Sequence, residues 1–366
     1  MTAQAHRSIR LLAVVAALGL LAAACGGGSD NKSSSGDSGS SKTTLPPLAS
    51  ATLNGSGSTF QKPFIEEASK EFKGQEQAVT INYAGGGSGK GRQDLADQVT
   101  DYAGTDGLPK PEELAKYKGG PLLYFPTVAA PITVSYNLSD VDKLKLDAPT
   151  IAKIFQRQIK TWDDPAIKDL NSGAKLPSKP ITVAHRSDSS GTTENFTKYL
   201  KAAAPGVWTL DAGSTVQWPT DTQAGNGNSG VAQIVKSTDG AIGYVDYSDA
   251  KALQLKFADI KNAGGKFVTP SLEGTSAALE QVQVNPDLSY NPLNAPGDST
   301  YPIATPTWIV VYKNQTDKAK GAALKAYLQF IYADGQDLAE TVDYAKLSDN
   351  ILTKAKAQLD QMGVPA

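Results

Sequence analysis

Residues 181–200 read ITVAHRSDSSGTTENFTKYL. Ile181–Ala184 is a short strand-like run, and Asn195–Leu200 carries apolar residues at helical spacing. Between them lies Arg186-Ser187-Asp188-Ser189-Ser190-Gly191-Thr192, rich in hydroxyls. A strand that passes through such a loop into a helix leaves unpaired N–H groups and a partial positive charge at the helix start. Glycine lets an anion approach the backbone, hydroxyls add donors, and arginine adds a full charge. The stretch speaks for an α/β fold and for an oxyanion ligand.

Two further loops share this style. Gly55-Ser56-Gly57-Ser58-Thr59-Phe60 is followed by Pro63 and the helical pattern Phe64, Ile65, Ala68, Phe72. Gly85-Gly86-Gly87-Ser88-Gly89-Lys90-Gly91 follows a strand at Val79–Tyr83 and precedes Leu95 and Val99. One such loop is weak evidence, because Ser and Thr also serve as ordinary helix caps. Three loops, one with an arginine, make anion binding the better reading. Thr127–Tyr136, Ala241–Tyr247 and Trp308–Tyr312 read as strands, Ile151–Phe155 and Lys318–Ala333 as helices. The alternation indicates α/β lobes, and the ~316 residues from Ala51 onward suffice for two of them.

Sharper motifs fail. A phosphate loop of the ATPase type needs Gly where Ala84 stands and Ser or Thr where Gly91 stands. A hydrolase elbow around Ser88 needs Gly where Lys90 stands. After export processing the chain would hold one histidine, His185, and no histidine–carboxylate motif of metal-ligand spacing. His185 reads as a strand-end residue rather than a base. No metal and no cofactor are expected.

The N-terminus carries an address. Arg7 and Arg10 precede an apolar run, Leu11–Ala24, that ends at Cys25, the single cysteine. This reads as an export signal over 1–24, too short for a comfortable membrane span of ~20 residues. Residues 25–50 begin at this cysteine and continue GGGSDNKSSSGDSGSSKTTLPPLAS, the composition of a flexible tether. Without Arg7 and Arg10 the chain has 33 basic and 37 acidic residues, a formal charge of −4. A mildly acidic chain argues against nucleic acid as partner.

Cys25 at the end of the apolar run resembles the lipobox of bacterial lipoproteins, although Ala22 stands where Leu is preferred. The body resembles the phosphate-specific substrate-binding protein of the bacterial ABC phosphate transporter. The resemblance rests on the Gly55–Phe60 and Arg186–Thr192 loops. It also rests on Phe125-Pro-Thr-Val128, Trp162-Asp-Asp-Pro-Ala-Ile167, Gly213-Ser-Thr-Val-Gln-Trp-Pro219 and Gly240-Ala-Ile-Gly-Tyr-Val-Asp-Tyr247, in the family's order.

It implies a two-lobed, periplasmic-binding-protein-like fold of type II. Lobe I would hold 51–130 plus 303–366 and lobe II 131–302, with hinge strands at Thr127–Val134 and Tyr301–Val311. Ligand contacts would come from Thr59, Phe60 (backbone N–H), Ser88, Asp106, Arg186, Ser190, Gly191 (backbone) and Thr192, with Asp188 holding Arg186. Lys90 departs from the small residue usual there. Implied partners are inorganic phosphate, the permease subunits and ATPase of the transporter, and the membrane through a lipid on Cys25. The protein would be an extracytoplasmic, monomeric, non-enzymatic receptor. Phosphate keeps a proton near neutral pH that can donate to Asp106, whereas sulfate keeps none. Competing readings are a receptor for another tetrahedral oxyanion, a phosphate-ester hydrolase, and an adhesin or sensor.

Overall fold

The structure, a computed structural model, describes residues 47–366. The export signal, Cys25 and the tether up to residue 46 lie outside the described residues. Among the described residues no helix is long and apolar enough to cross a membrane.

Twelve strands are formed by the described residues. They are β1 (Ala51–Gly57), β2 (Val79–Gly85), β3 (Tyr102–Thr105), β4 (Leu122–Tyr136), β5 (Lys145–Leu146), β6 (Thr182–Arg186), β7 (Gln223–Gly225), β8 (Ala241–Asp246), β9 (Lys256–Phe257), β10 (Asp259–Lys261), β11 (Phe267–Val268) and β12 (Ala304–Tyr312). The main sheet runs β2-β1-β3-β12-β4-β8-β6-β7, with β9 on β4; β11-β10-β5 form a small second sheet. Pairing is parallel within β2-β1-β3 and within β8-β6-β7, and antiparallel where β12 and β4 join them.

β4 decides the architecture. Its Leu122–Pro131 half pairs with β12, and its Ile132–Tyr136 half pairs with β8. One strand thus carries the chain from one group of strands to the other, and the result is a two-lobed α/β fold. Covered by neighbours on both faces, β4 is almost wholly buried and reads as a continuous apolar run. β12 is buried along its full length for the same reason.

The β4–β12 ladder carries a bulge. Pro306 faces Ala129 and Trp308 faces Pro126, so Thr127 and Val128 oppose the single Thr307. Two flanking prolines, Pro126 and Pro306, fit such a site because a proline cannot complete a regular central ladder. Gln61 secures the region: its Nε2 donates to Trp308 O at 3.0 Å, and its Oε1 accepts from Thr127 Oγ1 at 3.3 Å.

The expected strands form, and most run longer than their sequence signal. Three readings change. Gly55–Gly57 is the end of β1 rather than loop, because its glycines serve packing. A Cβ at Gly55 would lie 2.1 Å from the Tyr102 ring, and one at Gly57 would lie 2.0 Å from Gly104 O. Val99 does not belong to the helix that starts at Ser88; that helix ends at Ala96, and Val99 is 69% exposed. The hinge strand expected from Tyr301 begins at Ala304.

Gly57 also holds φ at +137°, where side chains are strained. Replacing it by Ala combines strain with a backbone clash, each costing ~1–3 kcal/mol. Gly57→Ala is expected to lower stability by about 2–6 kcal/mol. A urea unfolding midpoint equal to that of the parent would contradict this.

Candidate functional site

Arg186 is the last residue of β6 and is only 4% exposed. Its backbone N–H donates to Tyr244 Oη at 3.0 Å, which fixes the strand end. Its Nε donates to Asp188 Oδ1 at 2.8 Å, its Nη2 to Asp188 Oδ2, and its Nη1 to Thr192 Oγ1 at 3.3 Å. A guanidinium has five N–H donors. The three bonds leave two N–H groups, one on each Nη. Burial pushes the Asp188 carboxyl up, but hydrogen bonding to Arg186 and its charge outweigh burial and hold it below the usual range. Asp188 also accepts from Gly227 N at 3.1 Å.

Asp106 follows β3 and is 2% exposed. Its Oδ2 accepts from Ser58 Oγ at 2.7 Å and from Ser88 Oγ at 3.2 Å, and its Oδ1 accepts from Thr307 Oγ1 at 2.8 Å. The bulge that isolates Thr307 is what places that hydroxyl on the carboxylate. A carboxylate offers about four acceptor positions, so one remains, on Oδ1. Burial raises this carboxyl from 3.8 to about 6; the three hydroxyls and the charge of Arg186 restrain the rise.

The helix Gly191–Ala203 starts against this carboxylate. A Cβ at Gly191 would lie 2.3 Å from Ser88 Oγ and 2.6 Å from Asp106 Oδ2, so only glycine permits the approach. Ser190 caps the helix by accepting from Thr193 N at 3.1 Å, which keeps its own hydroxyl proton free. The N–H groups of Gly191 and Thr192 head the helix, where no preceding turn can pair them. Across the gap, Gly89 N donates to Ser189 O at 3.0 Å, so the Ser88 and Arg186 loops touch.

Sequence reasoning overlooked a fourth helix start. The helix Gly227–Ser237 presents Asn228, whose Nδ2 donates to Thr59 Oγ1 at 3.3 Å and to Thr192 Oγ1 at 3.2 Å. Its backbone N–H donates to Thr59 Oγ1 at 3.3 Å as well. Both threonines act as acceptors here, so each keeps a proton to donate elsewhere. The signal was Asn226-Gly227-Asn228, which has the style of the other loops but follows a strand of only three residues. Ser58 and Thr307 were overlooked too.

The structure brings the expected residues together around one point. Thr59 joins Thr192 through Asn228, while Ser88 and Asp106 abut Gly191. Phe60 differs from expectation: its N–H donates to Ser58 Oγ at 3.0 Å, and its ring is buried in the core. Lys90 is turned outward in an exposed pair with Asp94 at 2.8 Å. His185 has Nδ1 at 2.9 Å from Arg186 O and Nε2 at 3.0 Å from Thr222 Oγ1, and its ring stacks on Trp218. Among the described residues no three His, Cys, Asp or Glu side chains are grouped as metal ligands would be.

The model of the PBP superfamily domain matches residues 40–335. The phosphate-binding protein PstS of Pasteurella multocida is 35% identical over 312 residues, covering 84% of this chain and 89% of that one. The chain belongs to the PstS family of phosphate-binding proteins. A PstS of Methanocaldococcus jannaschii is 38% identical over 305 residues, covering 77% of this chain and 78% of its own. Among solved structures, the high-affinity periplasmic phosphate-binding protein PfluDING, bound with phosphate, gives a TM-score of 0.71 at 22% identity, covering 84% of this chain and 94% of that one. The phosphate-binding protein of Stenotrophomonas maltophilia gives 0.65 at 21%, with coverages of 84% and 94%. At such identities these two structures speak for the fold, which is the two-lobed α/β fold described above.

The raised carboxyl of Asp106 has a consequence for stability. The folded chain holds this proton more tightly than the unfolded chain. Stability from this group is therefore present below pH ~4 and is lost as pH rises through about 6. The loss at neutral pH is about 3 kcal/mol at most, at ~1.4 kcal/mol per unit. Ligand-free Asp106→Asn is expected to melt higher than the parent at pH 7.5, with the gap closing toward pH 4.5. A gap that widens on acidification would refute this.

Proposed function

We propose that this protein binds inorganic phosphate between its lobes, outside the cytoplasm, and delivers it to membrane permease subunits coupled to an ATPase. The observation that carries the reading is a desolvated carboxylate, Asp106, with one acceptor position left, close to a guanidinium with a pair of N–H groups left. Such a site asks its guest for negative charge and for a retained proton at once. Phosphate has both. The PstS names of the relatives point the same way.

In this reading Arg186, Ser190, Thr192 and the Gly191 and Thr192 N–H groups donate from lobe II, 131–302. Thr59, Ser88 and Asp106 act from lobe I, 51–130 plus 303–366, and the Phe60 N–H would have to leave Ser58 to join them. The change of partner along β4 between Pro131 and Ile132 supports these lobe limits. With a formal charge of −4 once residues 1–24 are removed, attraction comes from local donors rather than from the overall field. The ligand favours closure because neither half-site alone satisfies it. Export over 1–24, acylation of Cys25 and the 25–50 tether would keep the receptor beside its permease. A receptor is favoured over a hydrolase because both ring nitrogens of His185 are engaged, which leaves it a poor base.

Arg186→Ala removes the site's one guanidinium and strands Asp188. Charged hydrogen bonds contribute ~1.5–3 kcal/mol each, so phosphate affinity should fall by at least about 100-fold. Isothermal titration showing unchanged affinity would remove Arg186 from the site.

Selectivity should depend on pH. At pH 8 Asp106 is ionised and can only accept, so sulfate meets an unpaired acceptor beside a like charge. Below pH ~6 the carboxyl gains a proton and can donate. Sulfate should compete with phosphate at pH 5 and not at pH 8, and Asp106→Asn should admit sulfate at both. Equal binding of the two anions by the parent chain at pH 8 would end this mechanism.

A further inference from the structure

Arg92 lies in the helix Ser88–Ala96 and contributes nothing to the proposed anion contacts, yet it is only 11% exposed at its side chain. Its Nη1 donates to Gly107 O at 2.6 Å and lies 3.1 Å from Thr105 Oγ1. The same nitrogen stands 3.8 Å from Oε2 of Glu194, whose side chain is 5% exposed. Glu194 sits in the first turn of the helix Gly191–Ala203. Its carboxylate rests on the Gly107 backbone so closely that a Cβ at Gly107 would lie 2.4 Å from Oε2. Its other oxygen accepts from Lys198 Nζ at 2.6 Å. Next to it, Asn195 Nδ2 donates to Asp106 O at 2.6 Å.

We propose that Arg92 and Glu194 form a charge latch that holds the two lobes together behind the anion site. The proposal rests on the phosphate reading for its role and on the contacts above for its existence. Glu194 places a buried negative charge two residues from Thr192, where it opposes the guest. In an open cleft water would solvate that carboxylate. On closure it is stripped of water and needs a cation. Lys198 comes from the same helix, so it is present in either state. Arg92 comes from the other lobe, so its help arrives only with closure. The pair therefore ties a favourable contact to the closed form and makes closure costly when the contact is missing.

This predicts an order among variants that a merely structural ion pair would not give. Arg92→Gln leaves Glu194 charged and buried on closure, and phosphate should dissociate about tenfold faster or more, with little change in association rate. Glu194→Gln leaves Arg92 with Gly107 O and Thr105 Oγ1, and dissociation should rise only about two- to fivefold. The double variant removes the stranded charge, so it should hold phosphate more tightly than Arg92→Gln alone. Melting of the ligand-free variants should change far less than the phosphate-induced rise in melting temperature.

Stopped-flow phosphate binding to the full chain, with small-angle scattering of the ligand-free chain, tests this. Scattering should show a larger radius of gyration for Arg92→Gln than for the parent, reversed in the double variant. Equal dissociation rates for the parent and Glu194→Gln would overturn the latch. So would a double variant no better than Arg92→Gln. A parent chain that ignores phosphate while the radii follow the stated order would sink the phosphate reading and leave the latch standing.

Discussion

The site depends on keeping one carboxylate out of water. Asp106 is buried where ionisation is costly, and three hydroxyls reduce that cost without cancelling it. Each hydroxyl comes from a different part of the chain: Ser58 after β1, Ser88 at a helix start, and Thr307 on β12 opposite the β4 bulge. Ordering those segments is the work of the β1-β3-β12-β4 strands around them. The glycines that let those segments meet follow from the same need. Gly57 allows β1 to approach β3, Gly104 leaves room for the Tyr83 and Gln61 side chains, and Gly191 allows a helix end to reach the carboxylate.

Across the gap the chemistry is complementary. Arg186 is oriented by Asp188, which is itself held by the Gly227 N–H. Thr59 and Thr192 are both oriented by Asn228. Within its own lobe Arg186 is aligned by Asp188, whereas the Asn228–Thr59 contact joins one lobe to the other; ordering donors through neighbours reduces what binding must spend on them. Three helices begin at Ser88, Gly191 and Gly227 beside these residues, and a helix start contributes partial positive charge without a charged side chain.

Much of this was legible in the sequence, and the failures have physical causes. The strand–loop–helix pattern at 181–200 gave the strand, the cap and the arginine, since local spacing governs all three. The long buried strands announced themselves as apolar runs. Gly55–Gly57 was misread because glycine signals a loop by composition, while here it answers a contact with Tyr102 and Gly104, residues remote in sequence. Ser58 and Thr307 went unseen because their importance is set by a carboxylate 48 and 201 residues away. Asn228 had a local signature, but β7 is too short to frame it. Asp106 resembles an ordinary turn residue in Thr105-Asp106-Gly107, and only the fold discloses its burial.

Thr307 joins two properties usually tuned apart. It stands opposite the bulge in the β4–β12 ladder, close to where β4 changes partner, and it also donates to the carboxylate on which the proposed anion selectivity rests. In the receptor proposed above, a swivel that bends this ladder would disturb the filter, so discrimination would be sharpest in the closed form, and mobility and fidelity would be drawn from the same peptide.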